Sequence, residues 1–268
     1  MCPGGERIGP LGDCNGGGSM AASPRSTVEA AVKPISRRPA SNAPWPLNIY
    51  ASAVGKKWTM AITGLIGMGF ITVHMLGNLK IYLGREELNH YAEGLRIFGD
   101  PFVPRGVVLD ILRIVLFIAL VLHVHAAYSL WMTNRRARPV AYASRRDYIA
   151  ANWASRTMIW TGPIVLLFIA FHLLDLTFGN LNPSFIEGDV YHNVVASLQR
   201  MPVMIVYILA NAALGIHLWH GAWSLFQSIG VNNPYLNGVR RVFATVFALA
   251  IVMGNVSFPI AVALRIVG

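Results

Sequence analysis

Five stretches of this chain, Trp58–Leu79, Gly106–Met132, Thr157–Phe178, Met201–Phe226 and Val242–Ile266, are apolar and almost free of charge. Each is long enough, at ~1.5 Å of rise per residue, to cross a ~30 Å hydrocarbon core. With 54% hydrophobic and 13% charged residues and a mean hydropathy of +0.50, the chain is far more apolar than a soluble domain. The expected fold is an all-α integral membrane protein, with a five-helix transmembrane bundle over residues 46–268.

A formal net charge of +10 would suit a nucleic-acid partner if it formed one patch, but it is distributed by connection. Arg135, Arg136, Arg138, Arg145, Arg146 and Arg156 stand against Asp147 alone in the second connection, and Arg240 and Arg241 have no acid beside them in the fourth. The first and third are balanced or acidic: Lys80, Arg85, Arg96 and Arg105 against Glu86, Glu87, Glu93 and Asp100, then Arg200 against Glu187 and Asp189. Because Lys and Arg accumulate on the cytoplasmic side, the N-terminus and the second and fourth connections are expected in the cytoplasm, with the C-terminus outside. The charge is a topology signal, and no nucleic-acid partner is expected.

Residues 1–45 are rich in Gly, Pro, Ser and Ala and have no apolar run, the composition of a tail or linker. They lack the charged start, apolar stretch and cleavage site of a signal peptide, so the tail is expected to stay in the mature chain. The stretch APWPLNIYASAVGKKW is expected along the cytoplasmic interface, with Trp45, Tyr50 and Trp58 at headgroup level. Both cysteines, Cys2 and Cys14, lie in the tail, so no disulfide staples the helices. LGREELNHYAEGLRIFG and DVYHNVVASLQ each read as a short amphipathic helix on the outer side.

Histidine carries the chemistry. His90 and His192 fall in outer connections, where a solvated or hydrogen-bonded side chain is the plain expectation. The other six, His74, His123, His125, His172, His217 and His220, lie in four of the five apolar spans, and each imidazole buried there needs a partner. Measured along alternating helices, His74 is ~24 Å and His172 ~22 Å from the inner boundary, which places both in an outer layer. His123 and His217 are each ~25 Å from the outer boundary and share an inner layer, on the order of 10 to 15 Å from the first. Paired imidazoles from facing helices are what a six-coordinate haem b iron requires, and two stacked haems would carry electrons across the membrane. Gly64, Gly67, Gly69, Gly77, Ala126, Ala127, Gly215 and Gly221 are small enough to let a macrocycle approach the backbone, although such residues also serve plain helix contacts.

At this point four stretches carry a resemblance: KKWTMAITGLIGMGFITVHMLGNLKIYLG, LHVHAAYSLWMTNRRARPVAY, ASRTMIWTGPIVLLFIAFHLLDLTF and LGIHLWHGAWSLFQSIGVNNP. In order, over roughly residues 45–268, the chain resembles the single-chain, five-helix cytochrome b membrane anchor of bacterial succinate dehydrogenase and fumarate reductase, respiratory complex II. The resemblance implies a multi-pass subunit of the bacterial cytoplasmic membrane. It would hold a flavoprotein and an iron–sulfur protein on the cytoplasmic face and exchange electrons between them and a membrane quinone, taken here as menaquinone. It also implies His74 with His172, and His123 with His217, as axial pairs of up to two haem b groups, the same pairing that depth gives.

Two features stand outside the resemblance. His125 points ~200° around its helix from His123, so the two cannot serve one iron from one face. Cys2 and Cys14 share the cytoplasmic side with His123, His125, His217 and His220, and two thiolates with two imidazoles are the ligand set of a Rieske-type [2Fe–2S] cluster, an alternative to the inner haem. His220 lies ~4.5 Å nearer the cytoplasm than His217, beside Trp223 and Ser224 and level with Tyr128 and Trp131. The group suits a quinone head, with His220 and Ser224 handling protons; an interfacial aromatic belt would explain the Trp and Tyr equally well. Asp175, a carboxylate inside a span, is a candidate proton relay. An alternative reading of the chain, a proton-conducting transporter built on these His and Asp residues, calls for inverted repeats or broken helices at mid-membrane, and neither is evident.

Overall fold

The computed structural model describes residues 44–137, 153–231 and 233–268. The chain divides into Met1–Ala43 and Pro44–Gly268, and every described residue belongs to the second unit. The expectations for the tail, including Cys2 and Cys14, lie outside the described residues, as does most of the arginine-rich second connection.

A short helix α1 (Trp45–Ala51) is broken from α2 (Ala53–Asn78) at Ser52, which takes extended φ/ψ and accepts the Gly55 N–H on its Oγ at 2.9 Å, a serine N-cap. Glycine is required at 55 because a Cβ there would overlap the Ile49 carbonyl. Helix α2 tightens into a 3₁₀ turn over Leu79–Leu83 and stops at Gly84, whose φ of +104° only glycine adopts freely. Then follow α3 (Arg85–Arg96), α4 (Val107–Arg136) and α5 (Trp153–His172). Directly after His172 the helix widens into a π turn over Leu173–Thr177, in which the Phe178 N–H reaches back five residues to the Leu173 carbonyl at 2.9 Å. Finally come α6 (Val190–Leu198), α7 (Met201–Ser228) and α8 (Asn237–Ala263).

The expected five spans are present, as Ala53–Leu83, Val107–Arg136, Arg156–Thr177, Met201–Ser228 and Pro234–Ala263. The helices overrun the apolar stretches at several ends, as where α4 continues through Arg135 and Arg136, because a helix propagates through charged residues as readily as apolar ones. The two amphipathic segments are α3 and α6.

Contacts give the helix directions. Gly162 meets His217 and His172 meets Tyr207, so α5 and α7 run antiparallel. Met75 meets Gly254 while Tyr82 meets Phe258, so α2 and α8 run in parallel. Helix α7 packs on α5 and α8 and touches α2, whereas α4 packs chiefly on α2. The largest buried cluster lies at the end where α3 and α6 sit and gathers Ile81, Leu88, Val195, Leu198, Tyr207 and Phe258. A smaller one, Met75, Leu218, Ala248 and Ile251, seals the seam of α2, α7 and α8. Two of the glycines counted toward an open interior belong to helix packing instead: Gly77 receives the Tyr91 ring and Gly215 receives Val252. Gly67, Gly69 and Gly221 have nothing within 4 Å of a built Cβ.

Asp189 ties the capping helices together. It accepts from Asn89 Nδ2 at 2.9 Å, from the His192 N–H at 3.1 Å and from Arg85. Partial burial pushes its carboxyl upward, but these donors outweigh that and hold it below the ordinary carboxylate range. With a folded pKa below the unfolded one, its contribution is complete above the ordinary value of about 3.9 and is lost as pH falls through the folded value. Amide exchange in α6, corrected for intrinsic rates, should therefore accelerate at low pH in the wild type and lose that pH dependence in Asp189→Asn. Gly215→Ala should cost about 1–3 kcal/mol by overpacking, since the β-branched Val252 cannot swing clear, while Gly94→Ala in α3, with nothing within 4 Å of a built Cβ, should not destabilise; thermal unfolding in detergent compares the two.

Candidate functional site

Four histidines meet in two pairs. On one level His123 of α4 faces His217 of α7, with ring centroids 6.3 Å apart and planes 60° to one another. Thr63 of α2 donates its hydroxyl to its own helix, to the Thr59 carbonyl at 2.7 Å, and so is left to accept from His123 Nδ1 at 3.1 Å. That bond assigns the proton to Nδ1 and leaves Nε2 with a free lone pair. Nδ1 of His217 is buried without a hydrogen-bond partner among the described residues.

On the other level His74 of α2 faces His172 of α5, with centroids 5.9 Å apart and planes 87° to one another. Phe70 stacks on His74 at 5.3 Å and Phe168 flanks His172 at 5.8 Å. Behind His172 stands a polar chain. Its Nδ1 meets the Tyr207 hydroxyl at 3.3 Å, and that hydroxyl donates to Asp175 Oδ2 at 3.0 Å. Asp175 is fully buried and accepts also from Ser197 and from Arg200, whose other nitrogen donates to the Leu181 carbonyl at 2.6 Å. Asp175 is thus dry and ion-paired. The steps Thr63 to His74, Gly162 to His172 and His217 to Tyr207 are ten or eleven residues each, so the two levels lie ~15 Å apart along the helices.

The remaining candidates are dispersed. His125 turns away from His123 and stacks on Tyr50 of α1, whose hydroxyl bonds its Nδ1. His220 has a buried Nδ1 without a hydrogen-bond partner among the described residues. Ser224 donates to the Gly221 carbonyl of its own helix at 3.2 Å. Tyr128 and Trp131 lie against each other at 5.9 Å with Arg135 on the Trp131 ring at 5.5 Å, while Trp223 lies under Arg240 and Arg241 at 5.1 and 5.5 Å. Tyr128 and Trp131 thus stand on α4 and Trp223 on α7. His90 is exposed, and His192 bonds the Ser184 carbonyl at 2.9 Å. Among the described residues no three His, Cys, Asp or Glu side chains gather as a metal-ion site.

Residues 132–256 match the family model of the succinate dehydrogenase/fumarate reductase transmembrane subunit. The match covers 125 of the chain's 268 residues, just under half of it. No curated protein and no solved structure matches it. The matched stretch holds His172, Asp175, Tyr207, His217 and His220 but begins after His74 and His123; the fold is what sets those two against their partners.

Sequence reasoning missed Tyr207, Ser197, Arg200, Thr63 and the partner of His125. Tyr207 was within reach of the depth argument, since it is the one tyrosine in the fourth apolar span and lies ten positions from His217. In the folded chain, Arg200→Ala strips Asp175 of its counter-ion and should cost about 3–5 kcal/mol. Replacing both partners together by apolar residues should recover most of that loss, so a double-mutant cycle read by thermal unfolding measures the pair.

Proposed function

We propose that the chain is the anchor and electron carrier of a succinate:quinone oxidoreductase. It passes electrons between an iron–sulfur subunit and membrane quinone through two haem b groups, one on His74 and His172 and one on His123 and His217. The observation that carries the reading is the spacing of the two imidazole pairs. Two metal–nitrogen bonds of ~2.0–2.1 Å, with the distance from each nitrogen to its ring centre added, amount to ~6.4 Å, and the pairs measure 5.9 and 6.3 Å. The donor set fits as well: His172 and His123 each give the Nδ1 proton to an oxygen, which leaves Nε2 for iron. Open space at Gly67, seven residues from His74 on the same helix face, and at Gly221, one turn from His217, suits a flat macrocycle. Haem b held between two imidazoles supplies one-electron transfer without an open site for oxygen.

The side chains around these levels have separate tasks. Thr63 and Tyr207 orient the imidazoles they touch. His220 and Ser224, beyond His217 toward the α1 end, handle quinone and its protons, with Trp223 of α7 and Tyr128 and Trp131 of α4 as aromatic walls. Lys56, Lys57, Arg135, Arg136, Arg240 and Arg241 collect at the α1 end, so that end faces the cytoplasm of a bacterium and receives the flavoprotein and iron–sulfur subunits, while the C-terminus is outside. The quinone is taken as menaquinone.

The test is a reduced-minus-oxidised optical spectrum of the purified complex, with a pyridine haemochrome assay and counts of iron and acid-labile sulfide. Two haems per complex are expected, falling to one in His217→Ala, while His220→Ala should keep both and lose quinone turnover. A missing haem with surplus iron and sulfide would instead make Cys2 and Cys14 ligands of a Rieske-type cluster.

A further inference from the structure

We propose that Tyr207, Asp175, Ser197 and Arg200 form a positioning chain behind His172 that fixes which ring nitrogen carries its proton and lowers the redox potential of the group it holds. The inference rests on the reading of His172 as an axial ligand.

Its direction follows from the donors. Tyr207 gives its only proton to Asp175 at 3.0 Å, so toward His172 it can only accept, at 3.3 Å. The carboxylate behind it takes Tyr207 on Oδ2 together with Ser197, and Arg200 on Oδ1. Arg200 is itself tethered to the Leu181 carbonyl at 2.6 Å and to Ser197 Oγ at 3.1 Å. Asp175 and Ser197 are wholly buried, so no water competes for these bonds and each polarises the next. A phenol whose proton is drawn to an anion is a stronger acceptor, and an imidazole whose Nδ1–H is drawn to that phenol is a more basic ligand at Nε2. A more basic ligand favours the oxidised, more positive iron. The other level lacks this device: His123 leans on Thr63, whose proton goes to the neutral Thr59 carbonyl. Phe168 and Phe171 pack the Tyr207 ring at 5.1 and 6.0 Å, so its place is set by packing and the hydroxyl can be removed without moving the ring.

The test is redox titration, followed by haem absorbance, of the assembled membrane complex carrying Tyr207→Phe, with haem counted in parallel. Two haems are expected, with one midpoint raised by about tenfold in its redox equilibrium, ~59 mV for a one-electron couple, and the other unmoved. Asp175→Asn, which keeps the shape and removes the charge, should shift the same centre in the same direction. Loss of that one haem from an assembled Tyr207→Phe complex supports the assignment too, because only the hydroxyl has gone. Two haems with both midpoints unchanged in Tyr207→Phe overturn the chain and leave the haem reading standing. A complex whose haem count is the same in wild type and in His172→Ala sinks both.

Discussion

The height of one helix against the next governs both imidazole levels. A slip of α7 by a single residue would move it ~1.5 Å and turn it ~100°, taking His217 from His123 and Tyr207 from His172 in one step. Lipid supplies no hydrophobic drive to hold helices together, so close backbone approach and side-chain hydrogen bonds must set the register. Both occur along the seam of α7 and α8: Gly215 takes the Val252 side chain, and Trp219 Nε1 donates to Thr245 Oγ1 at 3.1 Å. The same device fixes α2, where Met75 lies in the space left by Gly254. Glycine at these positions thus determines where the histidines stand without touching them.

The two levels differ in kind. Around His123 and His217 the polar partners are neutral, a threonine hydroxyl and backbone carbonyls. Around His172 an ion pair is drawn into the protein, with Asp175 wholly buried and Arg200 partly so. A carboxylate in a membrane span is tolerated where a cation and hydroxyl donors meet it, and that requires the span to end nearby. Here Arg200 is the residue before α7 begins, and Ser197, the penultimate residue of α6, lies three positions earlier. The connection that looks like a simple link between two spans is therefore the part that neutralises the third span's carboxylate. Arg85, Asn89 and the α6 N-terminus clamp this end around Asp189, and the largest apolar cluster lies beneath it.

The fold was legible because length and apolarity are properties of a stretch, whereas the site depends on faces. Counting residues from the span ends placed His74 level with His172 and His123 level with His217, and the structure sets them side by side. The same count was not applied to Tyr207, and Arg200 was read only as a unit of charge in a connection, so the chain behind His172 was missed. Gly77 and Gly215 were counted with the open glycines, since a sequence does not say which neighbour a glycine faces; Tyr91 and Val252 fill them. The π turn that starts at Leu173, beside His172, was not legible, since Leu173–Thr177 holds no proline or glycine to signal it. His125 was read as turned away from His123, but its partner Tyr50 comes from a helix distant in sequence.

Packing leaves α4 and α5 each leaning chiefly on one neighbour, α4 on α2 and α5 on α7, and each brings one histidine to a pair. On the haem reading, a group between His74 and His172 ties α5 to α2, and one between His123 and His217 ties α4 to α7. Both ties join helices that share few side-chain contacts of their own. A ligand bound only by the assembled bundle stabilises it by about 4 kcal/mol at a free concentration a thousandfold above its Kd, against the roughly 5–15 kcal/mol of net stability usual for a folded domain. Loading of the two sites and closure of the four helices around them then become one linked equilibrium. On that reading the bundle needs no densely packed interior between α4 and α5, because the surface of the bound group would complete it.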